Sequence, residues 1–165
     1  MTAPTRAPAW SARPYTDADR ATVLDLFVEQ DFHFRTELPD LLSESEVAGL
    51  VADAWLLVAD GEPVGLYALT PSGRGHTGNF RLHLRLRASA PVSWWTSAYA
   101  EIVRSARWHT DVVRIGMRVG EFDDCGLAAA RALGMTEEGT LLGVVLSGGR
   151  RWGSVCFSQV WAVRS

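Results

Sequence analysis

The chain has 165 residues, 47% hydrophobic and 21% charged, the size and composition of one globular domain with a real core. Its net charge of −3 argues against nucleic acid as the main partner. The longest uninterrupted apolar run, Ala54 to Ala59, is too short to span a bilayer, so no membrane partner is expected either. Two cysteines, Cys125 and Cys156, are too few for a disulfide framework and fit a cytoplasmic protein. Four histidines without ligand spacing predict no metal. All 16 basic residues are Arg; GC-rich coding explains the count but not where they fall.

Residues 1–11 read as a flexible tail, without the apolar centre of a secretory signal, and 12–165 as a single domain. Ala12 to Tyr15 is a short first strand. Thr16 with Asp19 forms a capping box opening a helix that carries Leu24, Phe27 and Val28 on one side. The segment from Asp31 to Pro39 shows no period and is expected to be a loop. Ser43 with Glu46 is a second capping box, starting a helix to about Val51. Trp55–Ala59 and Val64–Leu69 flank Asp60 and Gly61, a hairpin signal.

Thr70 to Asn79 is a glycine-rich loop, followed by a strand from Phe80 to Arg87. Phe80, Leu82, Leu84 and Leu86 alternate there with Arg81, His83, Arg85 and Arg87. Ser93 is placed to cap the next helix, whose stripe is Trp95, Ala98, Tyr99, Ile102, Val103 and Ala106. Val112 to Val119 is another strand, and a short helix from about Cys125 to Leu133 stops at Gly134. Leu141–Leu146 and Val155–Val163 form a closing hairpin around Ser147 to Gly153.

The order of these elements, and above all the segment Asp123 to Met135 between two strands, resembles the GNAT acyltransferase superfamily. In that family's fourth-helix pattern an Asn starts the helix and Gly-Phe ends it. Asp123 and Met135 stand in those places here. The resemblance implies an α/β (α+β) fold: a mixed, mostly antiparallel sheet of about seven strands flanked by about four helices. It also implies N-acyl transfer from a thioester donor. The family's pyrophosphate loop falls on Arg87 to Trp95, where Ala90 fills the Arg slot and Pro91 and Ser93 the glycine slots. Pro91 removes an amide that would face the anion. Arg87, Ser89, Ser93, Trp94, Asp123 and Cys125 are the expected donor-side residues. Ala130 replaces the Tyr that commonly serves as general acid. The departures suggest a donor carried on an acyl carrier protein's phosphopantetheine arm, as in natural-product assembly, with acyl-CoA as the other candidate.

Central strands flanked by helices on both faces should be apolar on both sides. The basic residues Arg81 and Arg85, with Arg114 and Arg118 on the next strand, therefore predict one of two things. Either they line a cleft for a small anionic acceptor, or their faces are solvent-exposed or paired with acids such as Glu44, Glu46 and Asp123. His83 is the candidate base for the acceptor amine. His33 and Glu37, in the loop that shapes the acceptor site in the family, are the reserve candidates. A non-catalytic protein binding a small acid, and a decarboxylase on the same scaffold, fit the substituted loop as alternatives.

Overall fold

The computed structural model describes residues 8–37, 42–73 and 78–162. Its elements are β1 (Trp10–Pro14), a 3₁₀ turn (Asp17–Asp19), α1 (Arg20–Phe27), α2 (Glu44–Val51), β2 (Trp55–Ala59) and β3 (Glu62–Pro71). They continue with β4 (Asn79–Leu86), α3 (Val92–His109), β5 (Arg114–Gly120), α4 (Asp124–Ala132), β6 (Thr136–Ser147) and β7 (Arg150–Val160).

Local chemistry accounts for the boundaries. Both expected capping boxes form: the Thr16 N–H donates to Asp19 Oδ2 at 3.0 Å and the Ser43 N–H to Glu46 Oε2 at 2.7 Å. β1 begins at Trp10, inside the stretch expected to be a tail, because Trp10 to Pro14 pair with Ala59 to Trp55. The cap of α3 is Pro91, not Ser93: the fixed φ of proline suits the extended residue just ahead of a helix. The last hairpin is longer and tighter than expected. Ser147 pairs directly with Arg150, and Gly148 and Gly149 take positive φ of 57° and 70°, a turn that glycine enters without strain. Residues 74–77 of the glycine-rich loop lie outside the described residues.

The strands form one seven-stranded sheet in the order β1-β2-β3-β4-β5-β7-β6, antiparallel except between β4 and β5. β4 is central, as expected. On one face, Leu82, Leu84, Leu86 and Ile115 pack beneath α3 and α4 with Trp95, Tyr99, Ile102 and Ala129. On the other, Leu56, Leu66 and Ala68 pack with Val23, Leu26, Phe34, Val47 and Val51.

The parallel pair is brief. Asn79, Phe80 and Arg81 pair with Arg114, Ile115 and Gly116, and the ladder then stops. β4 keeps its register with β3 up to Leu86, and β5 keeps its register with β7 up to Gly120. The two half-sheets therefore part from Leu82 and Met117 onward. Backbone groups facing such a split lack strand partners and must find others.

Candidate functional site

The split opens into a cavity of about 810 Å³, within the size range of small-molecule sites. The loop after α1 brings His33, Arg35 and Glu37 to it, and α2 brings Glu46. β4 contributes Arg81, His83 and Arg85, β5 contributes Arg118, and β7 contributes Arg151. Trp95 at the start of α3 lines it from beyond the split. The loop is held over the cavity by the Leu146 N–H, which donates to the Glu37 carbonyl at 3.1 Å.

The arginines of the site have different fates. Arg85 is 6% exposed and ion-paired with Asp123, itself 4% exposed. Its Nε donates to the His33 carbonyl at 2.8 Å, and its guanidinium lies 5.6 Å from the centre of the Trp95 ring. This pair reaches from the end of β4 to the start of α4 and so crosses the wide end of the split. Burial lowers the Arg85 pKa to about 10, which leaves it charged at neutral pH. Asp123 also caps α4, its Oδ1 accepting from the Gly126 N–H at 2.8 Å. A Cβ on Gly126 would sit 2.4 Å from Asp123 Oδ2, so glycine is what lets the carboxylate do both.

Arg35, which the sequence did not mark, is ion-paired with Asp53 and donates to the Leu50 carbonyl at 3.2 Å. Arg114 donates to Glu138 Oε2 at 2.5 Å and does not line the cavity. Arg81 and Arg118 line it with no ion pair among the described residues. Unpaired cations in a cavity wall favour an anionic guest.

His83 sits between these charges with its ring 6.3 Å from that of Phe34, edge to face. Burial first, then Arg35 and Arg81, lower its pKa to about 4, with Asp53 opposing. The imidazole is therefore neutral at physiological pH and has a lone pair to accept a proton. His33 faces the same cavity, its ring 5.0 Å from Phe122.

In the loop expected to face the donor, the backbone between β4 and α3 offers few amides to an anion. The Ala88 N–H donates to the Glu29 carboxylate at 2.6 Å and the Ala90 N–H to the Arg87 carbonyl at 2.9 Å. Pro91 has no N–H, so Ser89, Val92 and Ser93 supply the free amides among the described residues. Arg87 is turned to the Pro63 carbonyl, which its Nη2 meets at 2.5 Å. Trp94 packs edge-on against Trp10 at 5.9 Å and does not line the cavity. Cys125 is exposed in the first turn of α4.

Solved structures superpose on this fold along nearly the whole chain. A GNAT-family acetyltransferase from Bacillus anthracis superposes with a TM-score of 0.75 at 12% identity, over 94% of this chain and 96% of that one. The fold is the GNAT fold. The spermidine N-acetyltransferase of Vibrio cholerae, solved with CoA and spermine, gives 0.73 at 13% identity over 92% and 95% of the two chains. The Salmonella typhimurium acetyl transferase that modifies the N-terminal serine of ribosomal protein L7/L12 gives 0.71 at 14% over 96% and 98%. No protein-family model and no curated protein sequence matches the chain.

His83, Arg81, Arg85, Arg118, His33, Glu37 and Asp123 thus converge on one cavity, whereas Arg114, Arg87, Ser89, Ser93, Trp94 and Cys125 do not line it. Sequence reasoning missed Arg35, Glu46, Phe122 and Arg151 in the wall, and Glu29 at the loop. Apart from Glu46, already read as a helix cap, these sit in loops or hairpins whose path no periodicity reports. Among the described residues no cluster of His, Cys, Asp and Glu is arranged to hold a metal, and no helix is long and apolar enough to cross a membrane.

Proposed function

We propose that this chain is an N-acyltransferase that moves an acyl group from a thioester to the amine of a small anionic acceptor. The observation that carries the reading is the unprotonated His83 facing a split sheet beside the unpaired Arg81 and Arg118. The acceptor's anionic group is held by Arg81 and Arg118 and its amine is directed at the imidazole. His83 takes the amine proton as nitrogen forms its bond to the thioester carbonyl, and the carbon–sulfur bond breaks to release a thiolate. A thiolate needs little acid assistance, which suits a chain with Ala130 buried in α4 where the family carries a tyrosine.

The Vibrio cholerae neighbour, solved with CoA, supports a thioester donor. In this chain Glu29 and Pro91 weaken the pyrophosphate cradle, which favours a donor presented on a carrier protein's phosphopantetheine arm over free acyl-CoA. Such a donor brings no diphosphate to the loop and is compatible with a role in secondary metabolism. A second reading is supported by the Arg85–Asp123 pair across the split: packed on Trp95, it stands where a donor arm would pass. A chain in which that bar never opens is a small-acid-binding protein.

Mass spectrometry with acyl-CoA and acyl-carrier donors side by side, against a panel of amino acids and amino-phosphonates, tests both readings. Acyl product from the carrier at a higher rate than from CoA is expected. Product from CoA alone overturns the donor assignment. Binding of an acid with transfer from neither donor overturns the enzyme.

A further inference from the structure

A second hollow, also about 810 Å³, runs along α3 from Thr96 to Trp108 and shares no lining residue with the central cavity. Twelve residues of helix separate Trp95 in the central cavity from Arg107 here, about 18 Å at 1.5 Å per residue. Its walls include Tyr99, Arg107 and Trp108 from α3, Gln159 from β7 and Trp161 just beyond it, while Arg104, also in the wall, is ion-paired with Glu101. Among the described residues that line it, none carries a carboxylate.

Three features mark it as a site and not a surface irregularity. Arg107 is half-buried with its guanidinium 5.2 Å from the centre of the Trp161 ring, yet it has no hydrogen bond or ion pair among the described residues. A guanidinium stacked on an aromatic face keeps its in-plane N–H groups free for a bidentate anion. Gln159 is oriented by the Tyr99 hydroxyl, which donates to its Oε1 at 2.6 Å, so the amide NH₂ remains to donate. Trp108 is 83% exposed at the rim, a large apolar face of the kind that marks ligand and interaction sites. A cation, an amide donor and flat apolar walls complement one class of ligand. A carboxylate alone would leave the indoles in water, and a neutral arene would leave the guanidinium without a partner.

We propose that this hollow binds a planar aromatic acid, its carboxylate on Arg107 and its ring against Trp161 and Trp108. The site is separate from the central cavity and does not depend on what reaction occurs there.

The test uses 2-naphthoate as probe, with 2-naphthalenemethanol as the uncharged isostere, titrated into the full chain labelled with ¹⁵N. The indole N–H signals are assigned from Trp108→Phe and Trp161→Phe. Saturable shifts of the Trp161 and Trp108 signals are expected, with the acid binding at least tenfold more tightly than the alcohol. Arg107→Gln should weaken the acid at least tenfold and leave the alcohol unchanged. Because Arg107 makes no ion pair, the variant is expected to fold, which the dispersion of the remaining indole signals verifies. Arg81→Gln in the central cavity should leave these shifts intact. Absence of saturable binding, equal affinity in Arg107→Gln, or loss of binding in Arg81→Gln overturns the proposal, the last by placing the acid in the central cavity.

Discussion

At the scale of single residues, the central cavity depends on neighbours that set what each side chain is able to do. Arg81, His83 and Arg85 alternate along one strand, yet one is unpaired, one is a neutral base and one is locked to a carboxylate. Their substitutions should separate accordingly. Arg81→Gln removes a charge-assisted contact worth about 1.5–3 kcal/mol, present equally in ground and transition states. It should raise KM by tenfold or more with little change in kcat. His83→Gln keeps a polar group of similar reach but no basicity, and should lower kcat by about a hundredfold. Since the wild-type imidazole protonates only near pH 4, activity should show no acid limb from this group between pH 5.5 and 8. Steady-state kinetics on both variants check this, and an unchanged kcat in His83→Gln removes the base.

At the scale of elements, the proposed donor preference rests on the loop between β4 and α3. A pyrophosphate is held by free amides and the positive end of a helix, and here the Glu29 carboxylate holds the Ala88 amide. Glu29→Ala frees that N–H and removes a negative charge from the cradle. CoA affinity, measured by calorimetry, should therefore rise on the order of tenfold, while Glu29→Gln should give less because its carbonyl still accepts. No gain in Glu29→Ala would show that the loop geometry, not the carboxylate, excludes the anion. The same elements show what was legible in the sequence. β4, the stripe of α3 and both capping boxes were readable because each rests on local spacing. Glu29 was not, because its partner is 59 residues away. The Arg85–Asp123 pair was half legible: Asp123 is among the acids read as partners for these arginines, but which arginine it meets is decided only by the topology. β6 was read as starting five residues late because Thr136 to Thr140, exposed on an edge strand, show no apolar alternation.

At the scale of the whole molecule, the buried charges make stability depend on pH in a defined order. The folded-state pKa of His83 lies near 4, below the ordinary 6.5, so between these values the unfolded chain binds a proton that the folded chain does not. Stability must then rise with pH. The contribution is complete above 6.5, is lost as pH falls toward 4, and at about 1.36 kcal/mol per unit amounts to about 3 kcal/mol. Asp19 acts at lower pH in the same direction. The Arg13 guanidinium and the Thr16 hydroxyl and N–H hold its carboxyl well below the usual range despite its burial. Its stabilisation is therefore present above about 3.8 and fades below that value. Urea unfolding at intervals from pH 3 to 8 should show a descending step in the wild type between about 6.5 and 4, followed below about 3.8 by the onset of the lower, Asp19 step. In His83→Gln the upper step should vanish, leaving a plateau down to about pH 4.5, while the lower step remains. Arg13→Gln should do the reverse, weakening the lower step and preserving the upper one. Parallel profiles for wild type and His83→Gln would mean that the imidazole protonates as readily in the fold as in water, and a base role tied to its burial would go with it.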